Sequence, residues 1–588
     1  MPVSLGPVAL VRGGAWALAA VAALALAYGS LVQELGCNQT AHYALVKSLA
    51  DGRPEIDPYQ EETCDKSYYE GHFYATKAPG LAIVTLPLYG ALELTGLRPA
   101  DPAAAIWLLG LVGVVVPSLL LLLLVGRLTT EVAPGVGMLV ALTLGAGTLL
   151  LPFSTLFFSH LLAALLAFGA FTLLWRERAG PPRLGLVVLS GLLAGLAVTA
   201  DYPFVVVGGV VALSAAWRTP RLRRLVGYGA GALVGVAPAL AFNWWALGSP
   251  FRSVYSYWVL HAGQSGHDVL FEGSEGVFGL SSPDFRAVVE ILLAPRGLLT
   301  LTPIVALGAF GTVLLYRQDR RAEAATIGAV AAAVLVTVSG FYNPLGGDVP
   351  GPRYLIATLP FLAVGLGPAY RRLPLLTGAL ALVSIATMTL ATATEPMLGH
   401  DDTTRWTERF LSGDFTRSVV SLAGGGHGWA ASAPFFAGIA AAVGLAASSG
   451  RRSLAGSRLD VAPACAGVLA WAVAAVAGPD LLAADREAGT WTGVVALVVL
   501  LIAGVSLVLV SVRDPLAAGL VSVLLVAAAA LAGRPIWALA LALAACAALA
   551  ASVRLRRRAS LQEGKRVRDP QLAAQDPDVH VGERMLRE

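Results

Sequence analysis

Residues 34–80 read ELGCNQTAHYALVKSLADGRPEIDPYQEETCDKSYYEGHFYATKAPG, and almost everything on either side is apolar. The stretch holds acids, lysines, histidines and tyrosines, together with Cys37 and Cys64, two of the four cysteines in the chain. It follows directly on an apolar run at 10–33 that carries only Arg12 near its start and has no small-residue cleavage site. That run reads as a retained first membrane span. The polar stretch then reads as a large loop that caps the chain on one face of a membrane.

Composition agrees. Hydrophobic residues make up 56% of the 588 and charged residues only 13%, against about a quarter charged in a soluble domain. Charge this sparse, between apolar runs of roughly 20 residues, specifies an all-α polytopic membrane protein. The runs lie near 10–33, 103–126, 133–152, 158–176, 183–200, 203–217, 224–247, 297–316, 322–340, 353–370, 373–393, 430–449, 459–478, 490–512, 515–532 and 534–553, about sixteen transmembrane helices by hydropathy.

The run at 80–97 is short, begins after Pro79-Gly80 and contains Pro87 and Glu93. Charge decides it. If 80–97 does not cross and the N-terminus is cytoplasmic, the arginine groups at 127, 176–183, 218–224, 317–321, 371–372, 451–458, 513 and 554–558 all fall on the cytoplasmic side, as they should. The segment 80–97 is therefore expected to be an interfacial helix of the first outer loop, 34–102, with a short surface helix at 39–50. The same parity places 153–157, 201–202, 248–296, 341–352, 394–429 and 479–489 outside, and both termini inside. The Ala-, Gly-, Val- and Arg-rich composition points to a bacterial, multi-pass protein of the plasma membrane. By organisation, 1–395 is the transmembrane catalytic module, 396–429 an outer loop, 430–553 a C-terminal transmembrane bundle, and 554–588 a disordered cytoplasmic tail.

The polar motifs collect in or beside the outer loops. For a base that removes a proton, Asp65 is the first choice. It stands between Cys64 and the aromatics Tyr68, Tyr69, Phe73 and Tyr74, with Lys66 favouring its ionised form. Glu34, at the outer end of the first span, is second, and Asp57 third; a solvated loop surface accounts for the remaining acids. Lys77, Arg296 and Arg353 each lie at the outer interface beside Pro or Gly. They suit a phosphate head group, with Lys66 as a further candidate, although cations there also snorkel without other role. His72, Tyr74, His160, Asp201 and Tyr202 are additional site candidates. An acid as near hydrocarbon as Asp201 is costly unless paired or solvated, whereas His160 reads first as a satisfied core histidine and second as a site residue. Cys37 and Cys64 would pair in an oxidising space; two free thiols is the alternative. The acids also admit a divalent cation, Mg or Mn. No nucleic-acid motif, nucleotide loop or zinc spacing is present.

One span, a long outer loop rich in acids and aromatics, then many short-looped spans resembles the GT-C glycosyltransferases. NQTAHYALVKSLADG, TCDKSYYEGHFYATKAPG, PRGLLTLTP and GPRYLIATLPFL resemble segments of large bacterial membrane proteins grouped with the protein O-mannosyltransferases and aminoarabinose transferases. The resemblance covers about 10–395. It implies a GT-C-like core, a sugar donor linked to polyprenyl phosphate, and a catalytic acid in the first outer loop, a role that Glu34 or Asp65 matches. The family often has an acidic pair just after the first span; here Glu34 stands alone before Asn38-Gln39. Where relatives often have Asp, this chain has Thr76. These departures leave the base open and allow lost or altered activity.

The expected function is transfer of a sugar from a polyprenyl-phosphate donor, a membrane lipid, to a glycan, lipid or protein acceptor on the outer face. A transporter or lipid flippase is the alternative, but it calls for ionisable groups inside spans and internal symmetry that the sequence does not show. A non-catalytic assembly partner in the cell envelope is the third.

Overall fold

The computed structural model describes residues 7–261, 264–265, 280–398, 403–454, 460–488, 490–511, 515–531, 534 and 541. Two compact units divide the chain, Met1–Leu459 and Asp460–Glu588. In the first unit the helices are α1 (Pro7–Ser30), α2 (Cys37–Ala50) and α3 (Gly80–Thr95). Then come α4 (Pro102–Val132), α5 (Gly137–Gly147), α6 (His160–Arg178), α7 (Leu184–Ala200), α8 (Val205–Ala215) and α9 (Arg221–Leu247). The series continues with α10 (Phe285–Leu293), α11 (Ile304–Arg317), α12 (Arg321–Ser339), α13 (Leu359–Arg372) and α14 (Pro374–Thr394). It ends with α15 (Thr404–Ser412) and α16 (Gly428–Ser453). In the second unit, α18 (Thr492–Ser511) and α19 (Pro515–Ala530) are almost wholly apolar, whereas α17 (Val461–Ala488) is apolar up to Pro479 and carries Asp480, Asp485, Arg486 and Glu487 beyond it. Gly504 of α18 lets Ala470 of α17 approach.

The protein is a polytopic helical membrane protein. Where hydropathy counts about sixteen spans, eight helices among the described residues are long and apolar enough to cross, or nine if a pair bent by 91° around Thr302-Pro303 is one span. Several of the remaining runs fold as helices too short to cross alone, among them α3, α5, α7 and Tyr202–Ala215. Residues 479–488, expected as loop, continue α17. The helix α16, grouped by sequence with the last bundle, packs on α1, where Gly438 lies against Ala23 and Ala27. The tail 554–588 and most of the last apolar run lie outside the described residues.

The segments that the charge rule places outside are joined to one another. A short ladder pairs β1 (Leu31–Val32) with β6 (Arg417–Ser418). A four-stranded sheet runs in the order β3 (His72–Ala75), β2 (Lys66–Tyr69), β4 (Trp258–His261), β5 (Gln264–Ser265). Leu280 bridges to Phe341, and Arg417 reaches Asp101 at 2.7 Å. Four outer segments thus form one polar cap. A separate set of charges gathers where α6, α9 and α12 carry their arginine groups. Buried Glu177 holds Arg224 by two bonds, 2.7 and 2.8 Å, with Arg218 and Arg178 close by.

Small residues fix the helix that carries Asp201. Gly191 and Gly195 on α7 face Gly231 and Gly235 on α9, and a Cβ at any of the four would strike a backbone carbonyl of the other helix. Close contact lets the Thr199 hydroxyl donate to the Gly235 carbonyl at 2.8 Å. Gly80, first residue of α3, has Ala200 at the same kind of range: an added Cβ would lie 2.6 Å from the Ala200 Cα. In this way α3 starts directly against the end of α7. The helix α2, expected as a one-sided surface helix, is buried on most of its faces, because α3 and the cap cover it.

Candidate functional site

A tight hairpin brings Asp65 and Lys77 together. Glu70 and Gly71 both have positive φ, 48° and 91°, as a two-residue turn with the twist of the strands requires. That turn sets Lys66 opposite Ala75 and Ser67 opposite Tyr74. Residues 65 and 77 therefore meet at the open end of the ribbon. The Thr76 amide donates to the Asp65 carbonyl at 3.1 Å, and the Lys77 ammonium pairs with the Asp65 carboxylate. Cys37, first residue of α2, forms a disulfide with Cys64, with their Cα atoms 5.3 Å apart. Thr63 donates to the Cys37 carbonyl at 2.8 Å and accepts from the Asp65 amide at 3.1 Å. The base candidate is thus clamped on both sides.

Under the ribbon lies a buried polar cluster. Lys77 is buried, and burial draws its ammonium pKa down by more than the Asp65 carboxylate raises it, with Asp201 and Arg353 also acting on it. His160, at the start of α6, pairs through Nδ1 with Asp201, the residue after α7. Arg353, in a turn at Arg353–Thr358, donates to the Tyr354 hydroxyl at 3.1 Å. Its guanidinium lies 5.8 Å from the Phe158 ring centre. Tyr255 and Tyr342 feel the Asp65 charge, and burial pushes both phenols up. His42 projects from α2 into the same region. Burial, then Lys77, His160 and Arg353, hold its pKa well below the usual imidazole range, so it is neutral.

Of the residues singled out from sequence, the fold brings Asp65, Lys77, His160, Asp201 and Arg353 into one cluster. Others go elsewhere. Glu34 is exposed, and its backbone carbonyl accepts from Gln39 at 2.8 Å. Lys66 donates to the Gln60 carbonyl at 3.0 Å and to its side chain. Arg296 donates to the Gly347 and Val349 carbonyls at 2.8 and 3.0 Å, bracing the loop before Arg353. Tyr74 is buried in the ribbon, and Tyr202 donates to Asn243 at 3.0 Å. Thr76 and Ser67 share a hydroxyl contact at 3.0 Å, and Ser67 donates to the Val254 carbonyl at 2.6 Å. Sequence reasoning missed His42 and Tyr255. A histidine among the apolar positions of α2 was a signal; Tyr255 gave none.

Asp57 accepts from His72 at 2.6 Å and from the Phe73 amide at 2.7 Å. That bond and charge raise the imidazole pKa above its usual 6.5. The contribution to ribbon stability is therefore complete below about pH 6.5 and lost as pH rises through the raised value. Both groups are well exposed, so solvent keeps the effect small. Protease nicking at Glu70-Gly71 should increase as pH rises above about 6.5 in the native protein, and Asp57→Asn should remove that pH dependence.

The Asp65 and Asp201 carboxylates are each occupied by a cationic or imidazole partner. Among the described residues no three His, Cys, Asp or Glu side chains converge.

No protein-family profile and no curated protein sequence matches the chain. Solved structures do. ArnT from Cupriavidus metallidurans bound to undecaprenyl phosphate is similar over 79% of this chain and 80% of its own, at 15% identity and TM-score 0.44. Its apo state gives 14% and 0.42. The apo oligosaccharyltransferase of Archaeoglobus fulgidus is similar over 77% of this chain and 58% of its own, at 14% identity and TM-score 0.38. Scores of this size decide neither substrate nor residue roles, and those rest on the site itself.

Proposed function

We propose that the protein is a glycosyltransferase that moves a sugar from a polyprenyl-phosphate donor to an acceptor hydroxyl at the membrane surface. The observation that carries this reading is the cluster of buried Lys77 with half-buried Asp65 and Arg353 beneath the polar cap. Lys77 and Arg353 hold the lipid phosphate, by a point charge and a planar fork respectively. The bond between sugar C1 and the phosphate oxygen breaks, and the electron pair leaves with the phosphate. The acceptor oxygen bonds to C1, and its proton passes to Asp65. The phosphate draws Lys77 away from Asp65 and frees the carboxylate for that step. No step requires a metal.

Membranes containing the protein, incubated with labelled polyprenyl-phosphate sugars, test the reading. Label should move to a new product, and Asp65→Asn should slow transfer by about 10²–10⁴-fold. Transfer at the native rate in that variant would remove Asp65 as base. Lipid that binds but never loses its sugar would favour a transporter.

A further inference from the structure

Two buried imidazoles beside Lys77 and Arg353 have ring nitrogens with no hydrogen-bond partner. They are Nε2 of His160 and Nδ1 of His42, on residues only 6% and 1% exposed. A buried polar atom left unpaired carries a cost, so such an atom in a polar cluster marks a place where a ligand completes the bonding. The two are not equivalent. His42 is held neutral. His160 has Asp201 on its other nitrogen, and a carboxylate there fixes the orientation of the ring. With Nδ1 held by Asp201, Nε2 is the ring nitrogen left to meet an anion.

The surroundings define the anion's position. Asp201, His42, Lys77, Arg353 and Tyr354 are the titratable or charged groups around His160, with the Tyr354 ring 6.2 Å away and Tyr255 beyond Asp201. Phe153 and Phe158 cover the remaining side at 5.7 and 5.8 Å. His42 feels the charges of Lys77, His160 and Arg353 alike, so the three groups border one region.

We infer that His160, oriented by Asp201, is the proton-bearing contact to the lipid phosphate. This rests on the phosphate site proposed above and adds a third group to it. His160 takes a proton from water as the phosphate docks, and its Nε2–H donates to a phosphate oxygen. When the sugar C1–O bond breaks, the leaving phosphate gains negative charge and that proton passes from Nε2 to it. The acceptor's proton goes to Asp65, and both residues re-equilibrate with water after release. Asp201 touches no substrate and is a positioning residue.

The test is binding of undecaprenyl phosphate to the purified full-length protein between pH 6 and 9. The phosphate's own second proton and the lowered Lys77 titration affect every variant that keeps Lys77. His160→Gln should weaken binding about 10–100-fold at the acid end and remove one limb of the pH profile expected of the native protein. Asp201→Asn, which keeps the shape, should move that limb. If both variants bind with native affinity and native pH profile while Lys77→Met loses binding, this inference is wrong and the phosphate site stands. If the native protein binds no undecaprenyl phosphate at any pH, both fall together. Should His160→Gln fail to elute as folded protein, the Asp201→Asn limb decides, and an unmoved limb overturns the proposal.

Discussion

Lys77→Met should weaken undecaprenyl-phosphate binding by about 100-fold, because a buried charge-assisted contact is worth ~2–3 kcal/mol. Methionine fills nearly the same volume, so packing changes little. What is lost is the ammonium at the mouth of the ribbon, and with it the partner of Asp65. The Asp65 side chain is about a quarter exposed, so its stranded carboxylate should cost stability, though less than in a dry core. Adding Asp65→Asn removes that unpaired charge. The double variant should therefore regain most of the lost thermal stability and none of the binding. Recovery of binding together with stability would show that Lys77 matters only as a structural counter-ion.

Gly231→Val should be strongly damaging to the first unit. Its Cβ would strike the Val188 carbonyl oxygen, which is backbone and cannot rotate away. The helices α7 and α9 must separate, and the Thr199 to Gly235 bond goes with them. Overpacking costs ~1–3 kcal/mol and more where backbone must move, so a loss of at least about 3 kcal/mol is expected. The site should fail as well, because Asp201 and the seat of Gly80 lie at the end of α7. Gly229→Val is the matched control. Gly229 has open space around it, and the same substitution there should leave melting and lipid binding close to native. Equal damage at both positions would mean that valine in this helix, not the crossing, is at fault.

Much of this fold was legible in the sequence because hydropathy and charge act locally. Nearly every apolar run falls on a helix, and the arginine parity assigned to one face segments that pair as strands and ion pairs. Helix length was less legible. Apolar composition alone does not say where a chain bends, as at Thr302-Pro303, or stops short, as α5 and α7 do. In the site, Asp65 and Lys77 were legible as motif residues, but their contact was not. It depends on a hairpin register set by Glu70-Gly71, and two positive-φ residues leave a faint trace in sequence. His160 and Asp201 were legible singly, not as a pair, since 41 residues separate them and the α7–α9 crossing decides where Asp201 stands. Arg296 shows the reverse: a Pro-Arg-Gly motif at the interface looked like a phosphate ligand, yet its guanidinium holds loop carbonyls. A sequence pattern places a cation near a membrane surface but does not say which acceptor it meets.

The central claim is that the lipid phosphate sits between Lys77 and Arg353 under the ribbon. The direct measurement is a cryo-electron-microscopy map of the full-length protein with undecaprenyl phosphate bound. Phosphate density within hydrogen-bonding range of the Lys77 ammonium and the Arg353 guanidinium, with Asp65 released from Lys77, is the predicted result. Density at another set of cations, with the Asp65–Lys77 pair intact, would contradict it.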